Sequence, residues 1–391
     1  MKLLFLHDHY IYVDKNNNAF SPGKLSSESF SRYLNHFDNV TVLTRSKLID
    51  EDLSNSLNFN QINTDNINYI PFDNQSNIKN RFFKRQLYKR KLKKIINQYD
   101  AIIVRLPSEI GFLAAEICIS LHKPYVSEVV ACPVDAMDGF DNLKSYLYKP
   151  IIKRNMEKYV YNSIGSLYVT RFFLQRKYPT KGFQCSASNV EIEKVSFIKR
   201  DISNKLKINI TLIGNLDSPH KGYNILYKAL SLLDDKLIDK SLIIYLVGPG
   251  NKYKITPSYK NIMIKYTGSL NKKEVFKLLY NTDIYIQPSN QEGLPRATIE
   301  AMSLSIPCIT SNAGGLPELT HEKCIHNTND YKALAEKILF LINNHDFYKE
   351  LSSINANKSE NYLNEKLSLI RSDFFNKYKS LLISKIENEK K

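Results

Sequence analysis

The chain has 391 residues, 43% hydrophobic and 24% charged, a balance that fits a soluble globular protein and predicts two domains or one large one at about 100 to 200 residues each. With 13 glycines and 14 prolines it is neither collagen-like nor a Pro/Gly-rich disordered chain, and its 55 Lys+Arg against 39 Asp+Glu, a net +16, predict an acidic partner: nucleic acid, anionic lipid or a phosphate-bearing small molecule. The cysteines, Cys118, Cys132, Cys185, Cys308 and Cys324, are odd in number and widely spaced, so they draw neither a disulfide ladder nor a metal knuckle and predict a reducing cytoplasm.

In chain order, the first predicted strand is Lys2–Leu6. This apolar run is too short for a signal peptide, and no stretch reaches the roughly 18 apolar residues needed to cross a bilayer, so the expected protein is cytoplasmic and does not span a membrane. His7-Asp8-His9 is expected to end that strand, and it lacks a distant partner ligand for a metal. Asp50-Glu51-Asp52 matches a DxD pattern formally but reads as a solvated acidic turn, so no metal site is expected. The Asn-rich patches at 16–18 and 55–68 are expected to be loops.

Further strands are predicted at Val40–Leu43, Ala101–Arg105, Tyr125–Val130 and Gly165–Val169. After a polar, strand-poor stretch near Ser186–Lys205 the pattern restarts with Ile208–Ile213, Leu242–Val247, Ile262–Tyr266, Asp283–Gln287 and Pro307–Thr310. Helical stretches between these runs predict parallel sheets covered by helices, hence two doubly wound α/β domains whose strand ends share a cleft. The expected boundaries are 1–195, 206–360 and a C-terminal helix at 361–391 that can cross back to the N-terminal domain.

Residues 77–97 hold nine basic and no acidic residues. At about 100° per residue, Ile78, Phe82, Tyr88, Leu92, Ile95 and Ile96 fall on one face, whereas Phe83 and Leu87 fall opposite among Lys79, Arg90, Lys91 and Lys94. Apolar residues amid lysines on an outward face suit an anionic membrane surface; a solvated helix with two incidental exposed side chains is the alternative.

The chemistry concentrates at Asn290-Gln291-Glu292-Gly293-Leu294-Pro295-Arg296-Ala297-Thr298-Ile299-Glu300-Ala301-Met302. Pro295 suits the start of a helix, the amides from Gly293 to Arg296 form an anion site there, and two carboxylates suit a ligand rich in hydroxyls. Taken in isolation, Glu-x7-Glu reads first as a βα turn with a solvent-facing Glu. GxGxxG is absent, since Gly248 and Gly250 lack a third glycine at Tyr253, and neither a Walker loop nor HExxH occurs.

Glu292–Met302, followed by Pro307-Cys308-Ile309-Thr310 and Gly314-Gly315-Leu316-Pro317-Glu318, resembles the donor-site signature of the retaining family 4 glycosyltransferases. Lys221-Gly222 and Leu246-Val247-Gly248-Pro249-Gly250 are similar to that family's other landmarks, and together the matches cover most of 207–320. Ser21-Pro22-Gly23 stands where the family has a glycine-bearing loop after its first strand, and Arg105-Leu106-Pro107-Ser108 and Tyr168-Val169-Thr170 resemble members that build bacterial surface polysaccharides such as O-antigen, capsule and lipopolysaccharide.

The resemblance implies the GT-B fold, a nucleotide diphosphate sugar as donor, no metal or other cofactor, and a hydroxyl of a glycan or lipid-linked glycan as acceptor. It implies Lys221 on the departing diphosphate, Glu292 on the transferred sugar and Glu300 on the ribose, with Gly293, Leu294 and Pro295 offering backbone. Gly268 edges the base and Gly23 approaches the phosphates from the other domain. Asn215 stands six residues before Lys221, where the family usually has an arginine, so Arg296 or another base has to share the phosphate charge. Many members carry a histidine where this chain reads Glu128-Val129-Val130, and Arg105, Glu128 and Asp135 are acceptor-side candidates by position.

The expected protein is therefore a retaining, metal-independent sugar transferase on the inner face of the cell membrane. Alternatives are an epimerase of the same fold or a non-catalytic sugar-nucleotide-binding protein. Nucleic acid is not an expected partner, since no such module is recognisable.

Overall fold

Short strands rich in Val, Ile and Leu alternate with helices, and among the described residues they build one nine-stranded and one six-stranded sheet. The computed structural model describes residues 1–16, 18–21, 25, 27–49, 60–62, 64–73, 84–137 and 143–389. Two compact units emerge. One comprises Met1–Val134, Leu143–Ala187 and Ser368–Lys391, the other Asp135–Asn142 and Ser188–Leu367.

The first unit contains β1 (Lys2–Val13), β2 (Ala19–Ser21), β3 (Asn39–Leu48), β4 (Asn60–Gln61), β5 (Ile67–Phe72), β6 (Ala101–Leu106), β7 (Val126–Val129), β8 (Gly165–Tyr168) and β9 (Phe183–Ser186). Seven of these run parallel in the order β5-β3-β1-β6-β7-β8-β9, while β2 lies antiparallel on the end of β1 and β4 on β2. Leu3, Leu4, Phe5 and Leu6 of β1 are wholly buried, as expected of a central parallel strand covered on both faces.

Two expectations need correction. His7-Asp8-His9 does not end β1 but lies within it, at a register shift between Leu6 and Tyr10 where the pairing with β3 is interrupted. The Asn-rich patch at 55–68 is not all loop: Asn60–Gln61 and the start of β5 are strand. Pro71 inside β5 disguises it, and is tolerated because among the described residues β5 is an edge strand bonded to β3 alone.

The C-terminal helix, Asn364–Glu389, starts in the second unit and continues in the first from Ser368. Within the first unit Phe375 packs edge-on against Tyr33 and Phe374, and Tyr378 is fully buried. Its hydroxyl accepts from the Ile102 amide at 2.8 Å and donates to the Ile102 carbonyl at 3.1 Å. Tyr378→Phe strips this buried amide of its acceptor, so chemical denaturation is expected to show a loss of about 1–3 kcal/mol; an unchanged midpoint would mean water replaces the hydroxyl.

The second unit contains β10 (Lys207–Ile213), β11 (Ser241–Val247), β12 (Ile262–Gly268), β13 (Ile284–Gln287), β14 (Cys308–Ser311) and β15 (Ile325–His326), all parallel in the order β12-β11-β10-β13-β14-β15. The chain leaves β10 toward β11 and β12, then returns to β10's other side to lay down β13, β14 and β15. The reversal between β10 and β13 is a topological switch point, where open α/β sheets leave a crevice beyond the strand ends.

Candidate functional site

Both loops at that switch point carry charge. β10 ends at Ile213 and leads to a 3-10 turn at Pro219–Lys221, then to the helix Tyr223–Asp234. β13 ends at Gln287 and leads through Glu292 to the helix Arg296–Ser303. Across the gap Lys221 Nζ donates to Glu292 Oε1 at 2.6 Å. Ser289 Oγ donates to the same oxygen at 2.9 Å and Gln287 Nε2 at 3.3 Å, and Tyr285 OH fixes the Gln287 amide by donating to its Oε1 at 2.6 Å. Lys221, Ser289 and Gln287 thus meet at Glu292 Oε1. Glu292 is thus held by three partners and can offer Oε2 to a ligand hydroxyl, while Lys221 spends one of three N–H donors.

Three glycines make this approach possible. Gly222 has φ +75°, and a Cβ on it would lie 2.0 Å from the Pro288 carbonyl oxygen. Gly314 has φ +55°, and its Cβ would lie 1.8 Å from the Glu292 carbonyl oxygen; Gly248 is likewise pressed on Gly214 O. Only glycine tolerates both the backbone angle and the distance. Asn290 N bonds His220 O at 2.8 Å and Gly315 N bonds Gly293 O at 2.9 Å, so the loops after β10, β13 and β14 are fastened as one block. Neither the helix at Tyr223 nor the one at Arg296 has a side-chain cap at its start, which leaves early amides for an anion.

The other donor-side candidates occupy the same unit. Asn215 Oδ1 accepts the Asp217 amide at 2.8 Å, and Asp217 Oδ1 in turn accepts the amides of Asn251 and Lys252, each at 2.9 Å. Those amides hold the Asp217 carboxyl below the usual carboxylate range. Asn215 thereby ties the Lys221 loop to the loop after β11 and brings no charge. Arg296 NH1 lies 3.9 Å from Glu300 Oε1, one helical turn away. Pro295 is the N-cap of that helix, Gly293 and Leu294 precede it, and Gly268 ends β12 at φ +72° with open space where a Cβ would stand.

In the first unit the structure brings Arg105 and Glu128 together: Arg105 NH1 lies 3.0 Å from Glu128 Oε2, and the Tyr33 hydroxyl donates to Glu128 Oε1 at 2.6 Å. Burial and that carboxylate push the Tyr33 phenol well above its usual range. Asp135 lies in the short helix Pro133–Met137 and clusters with the second unit. Asp8 is occupied structurally, accepting the Glu109 and Ile110 amides at 2.5 and 3.1 Å and so capping the helix Glu109–Ser120. His7 is buried and pushed down to about 3, first by desolvation and then by Arg105, which keeps the ring neutral. Gly23, Lys79, Phe83 and Asp50-Glu51-Asp52 lie outside the described residues.

The helix within 77–97 is described from Arg85 to Ile96 and buries Tyr88, Leu92 and Ile96; Leu87, Arg90, Lys91 and Lys94 are exposed. Sequence reasoning missed Ser289 and Gln287 beside Glu292. A polar Gln closing the apolar strand Ile284–Gln287 was the available signal.

Residues 207–344 match the family model described as glycosyl transferases group 1. The chain is 29% identical over 386 residues to the protein CapJ of Staphylococcus aureus, covering 98% of this chain and 97% of that one. Among solved structures it is similar to the lipopolysaccharide outer core galactosyltransferase WaaB, with TM-score 0.64 and 13% identity over 96% of this chain and 100% of the other. It is also similar to HepE from Anabaena in complex with UDP-glucose, with TM-score 0.60 and 15% identity over 96% and 100%. The chain has the GT-B fold, as its two parallel sheets predict.

Proposed function

We propose, from the premise that residues 207–344 form a group 1 glycosyltransferase domain within a GT-B chain, that this protein is a retaining glycosyltransferase of bacterial surface-polysaccharide synthesis. It moves a sugar from a nucleotide diphosphate donor to a hydroxyl of a glycan or lipid-linked glycan. The observation that carries this reading is the Lys221–Glu292 pair at the β10/β13 switch point, where a ligand finds a cation, a braced carboxylate and two uncapped helix starts at once. HepE, a structure of the same fold, holds UDP-glucose, and WaaB, of the same fold, is a lipopolysaccharide outer core galactosyltransferase.

In this reading Lys221 and the first amides of the helix Arg296–Ser303 meet negative charge as the diphosphate departs. Glu292 accepts from sugar hydroxyls, Glu300 from the ribose, and Gly293, Leu294 and Pro295 line the sugar and diphosphate with backbone. Gly268 edges the base. The donor phosphate itself helps deprotonate the acceptor on the same face, so neither Glu acts as a nucleophile. Arg105, Glu128 and Asp135 stand on the acceptor side. The protein works at the inner surface of the cell membrane, meeting it through residues 77–97.

Transfer needs no metal, because fixed protein groups supply the positive charge. In excess chelator, release of nucleoside diphosphate in the presence of acceptor is expected to proceed at an unchanged rate. Loss of activity with recovery on added magnesium or manganese would overturn the metal-independent mechanism. The same assay tests a second reading that Asn215 favours, since its amide supplies no charge and its Oδ1 is spent on the Asp217 amide: a non-catalytic sugar-nucleotide-binding protein would bind donor and release nothing.

A further inference from the structure

The strongest feature outside the donor site is the helix Leu143–Tyr161 of the first unit. Its inner side is anchored: Ile152, Met156, Tyr159 and Val160 are buried, and Tyr159 packs on Phe112. Its outer side is apolar at one end. Tyr146 is 77% exposed, Leu147 62% and Ile151 50%, with Pro150 exposed beside them. At about 100° per residue, Leu147, Pro150, Ile151, Arg154, Lys158 and Tyr161 fall within an arc of about 100°. The arc therefore passes from aliphatic side chains to exposed cations, Arg154 and Lys158, with Tyr161 at its end.

A second basic face lies in the same helical layer. The helix Glu109–Ser120 packs on β1 and β6 and also against both Arg85–Ile96 and Leu143–Tyr161. Arg85–Ile96 carries Leu87, 62% exposed, among Arg90, Lys91, Lys93 and Lys94, and holds no acidic residue. The acidic groups facing this layer are Glu116, bound to Arg85 and Lys89, Asp73, 3.9 Å from Lys91, Glu157, 3.8 Å from Lys153, and Glu109, bound to Tyr148. Among the described residues the exposed face of the layer carries more cations than carboxylates, and Glu116, Asp73 and Glu157 each already sit beside a cation.

We propose that the outer face of Leu143–Tyr161 inserts Tyr146, Leu147 and Ile151 into the headgroup boundary of an anionic lipid bilayer. Arg154 and Lys158 then pair with lipid phosphates, and the basic face of Arg85–Ile96 settles on the same surface. Charge complementarity selects this occupant: aliphatic and Tyr side chains backed by cations suit an interface with apolar depth and negative charge, whereas a water-facing helix gains nothing from exposing them. This extends the membrane reading above, which placed the contact on residues 77–97 alone. It makes docking a two-helix contact, and the helix that sequence left unassigned supplies the insertion.

The test is vesicle sedimentation of the full chain with phosphatidylcholine vesicles, with and without about one third phosphatidylglycerol. The wild type is expected to pellet only with the anionic vesicles and to be released by high salt. L147S/I151S is expected to partition about tenfold less while keeping its thermal midpoint and its donor turnover, since both side chains are exposed and the donor-site residues belong to the other unit. Undiminished pelleting of that double variant, with loss confined to Leu87→Ser, would overturn the insertion by this helix and leave the contact at residues 77–97 standing. Absence of lipid binding in the wild type would overturn both. A wild type that self-associates without lipid, and a double variant that is monomeric, would assign the face to a second copy and overturn the proposal.

Discussion

Replacing Lys221 by alanine is expected to lower turnover by about a hundredfold or more, which is about 2.7 kcal/mol of transition-state stabilisation. Charge builds on the diphosphate only as the sugar bond breaks, so a cation held against it acts mainly on the transition state and little on donor binding. The fold should survive the change. Glu292, which loses its 2.6 Å partner, keeps the Ser289 and Gln287 donors on the same oxygen. Lys221→Arg restores charge but not the short point contact, and recovers only part of the rate. Glu300→Ala is the counterpart: in the proposed reading Glu300 meets the ribose, whose contacts change little during reaction, so the Michaelis constant for donor is expected to rise while turnover holds. Steady-state kinetics on the two variants decides the roles. If Lys221→Ala shifts only the Michaelis constant and Glu300→Ala only turnover, the assignments are reversed.

The amide at Asn215, where a cation would share the load, makes this effect larger. Asn215, six residues before Lys221, is held by the Asp217 amide and cannot compensate. Arg296 lies one turn from Glu300 and opens the helix that follows Glu292.

Much of this site is legible in the amino-acid sequence because its logic is local. β-branched runs spaced by helices predict parallel sheets, and the strand, turn and helix around Glu292 can be read directly from Asp283 to Met302. Lys221 and Glu292 come together because their strands are neighbours, which follows from the parallel order once β10 is placed centrally. What sequence does not reveal is contact between loops. Nothing in the run Lys221-Gly222 announces that Gly222 lies under Pro288 O, nor does Gly314-Gly315 announce the Glu292 carbonyl; both are tertiary approaches. Asp8 beside two histidines looks like metal chemistry until the Glu109 and Ile110 amides are seen to fill its oxygens. The helix Leu143–Tyr161 is mute for another reason. Apolar residues occur all around it, so periodicity cannot say which side is buried, and only the packing of Tyr159 and Met156 inward turns Leu147 and Ile151 out.

Gly314→Ala carries the second large expected effect. At φ +55° an alanine costs about 1 kcal/mol in backbone strain alone. The larger consequence is steric: its Cβ would stand 1.8 Å from the Glu292 carbonyl oxygen, a backbone atom that no rotamer change can move aside. One loop has to shift by an ångström or more, and Glu292 travels with it, away from Ser289, Gln287 and Lys221. A misplacement of about 1 Å at a positioned group is enough to lower turnover by on the order of a hundredfold. Gly268→Ala isolates the strain component, because Gly268 also sits at positive φ, +72°, but has nothing within 4 Å of its would-be Cβ. Thermal unfolding should therefore show a small loss for Gly268→Ala and a markedly larger one for Gly314→Ala, and at saturating donor the collapse in turnover is confined to the latter, since Gly268 edges the base and acts on donor binding alone. Equal midpoints and equal turnover in the two variants would mean that the close approach of Gly314 to Glu292 does not hold the catalytic loop in place.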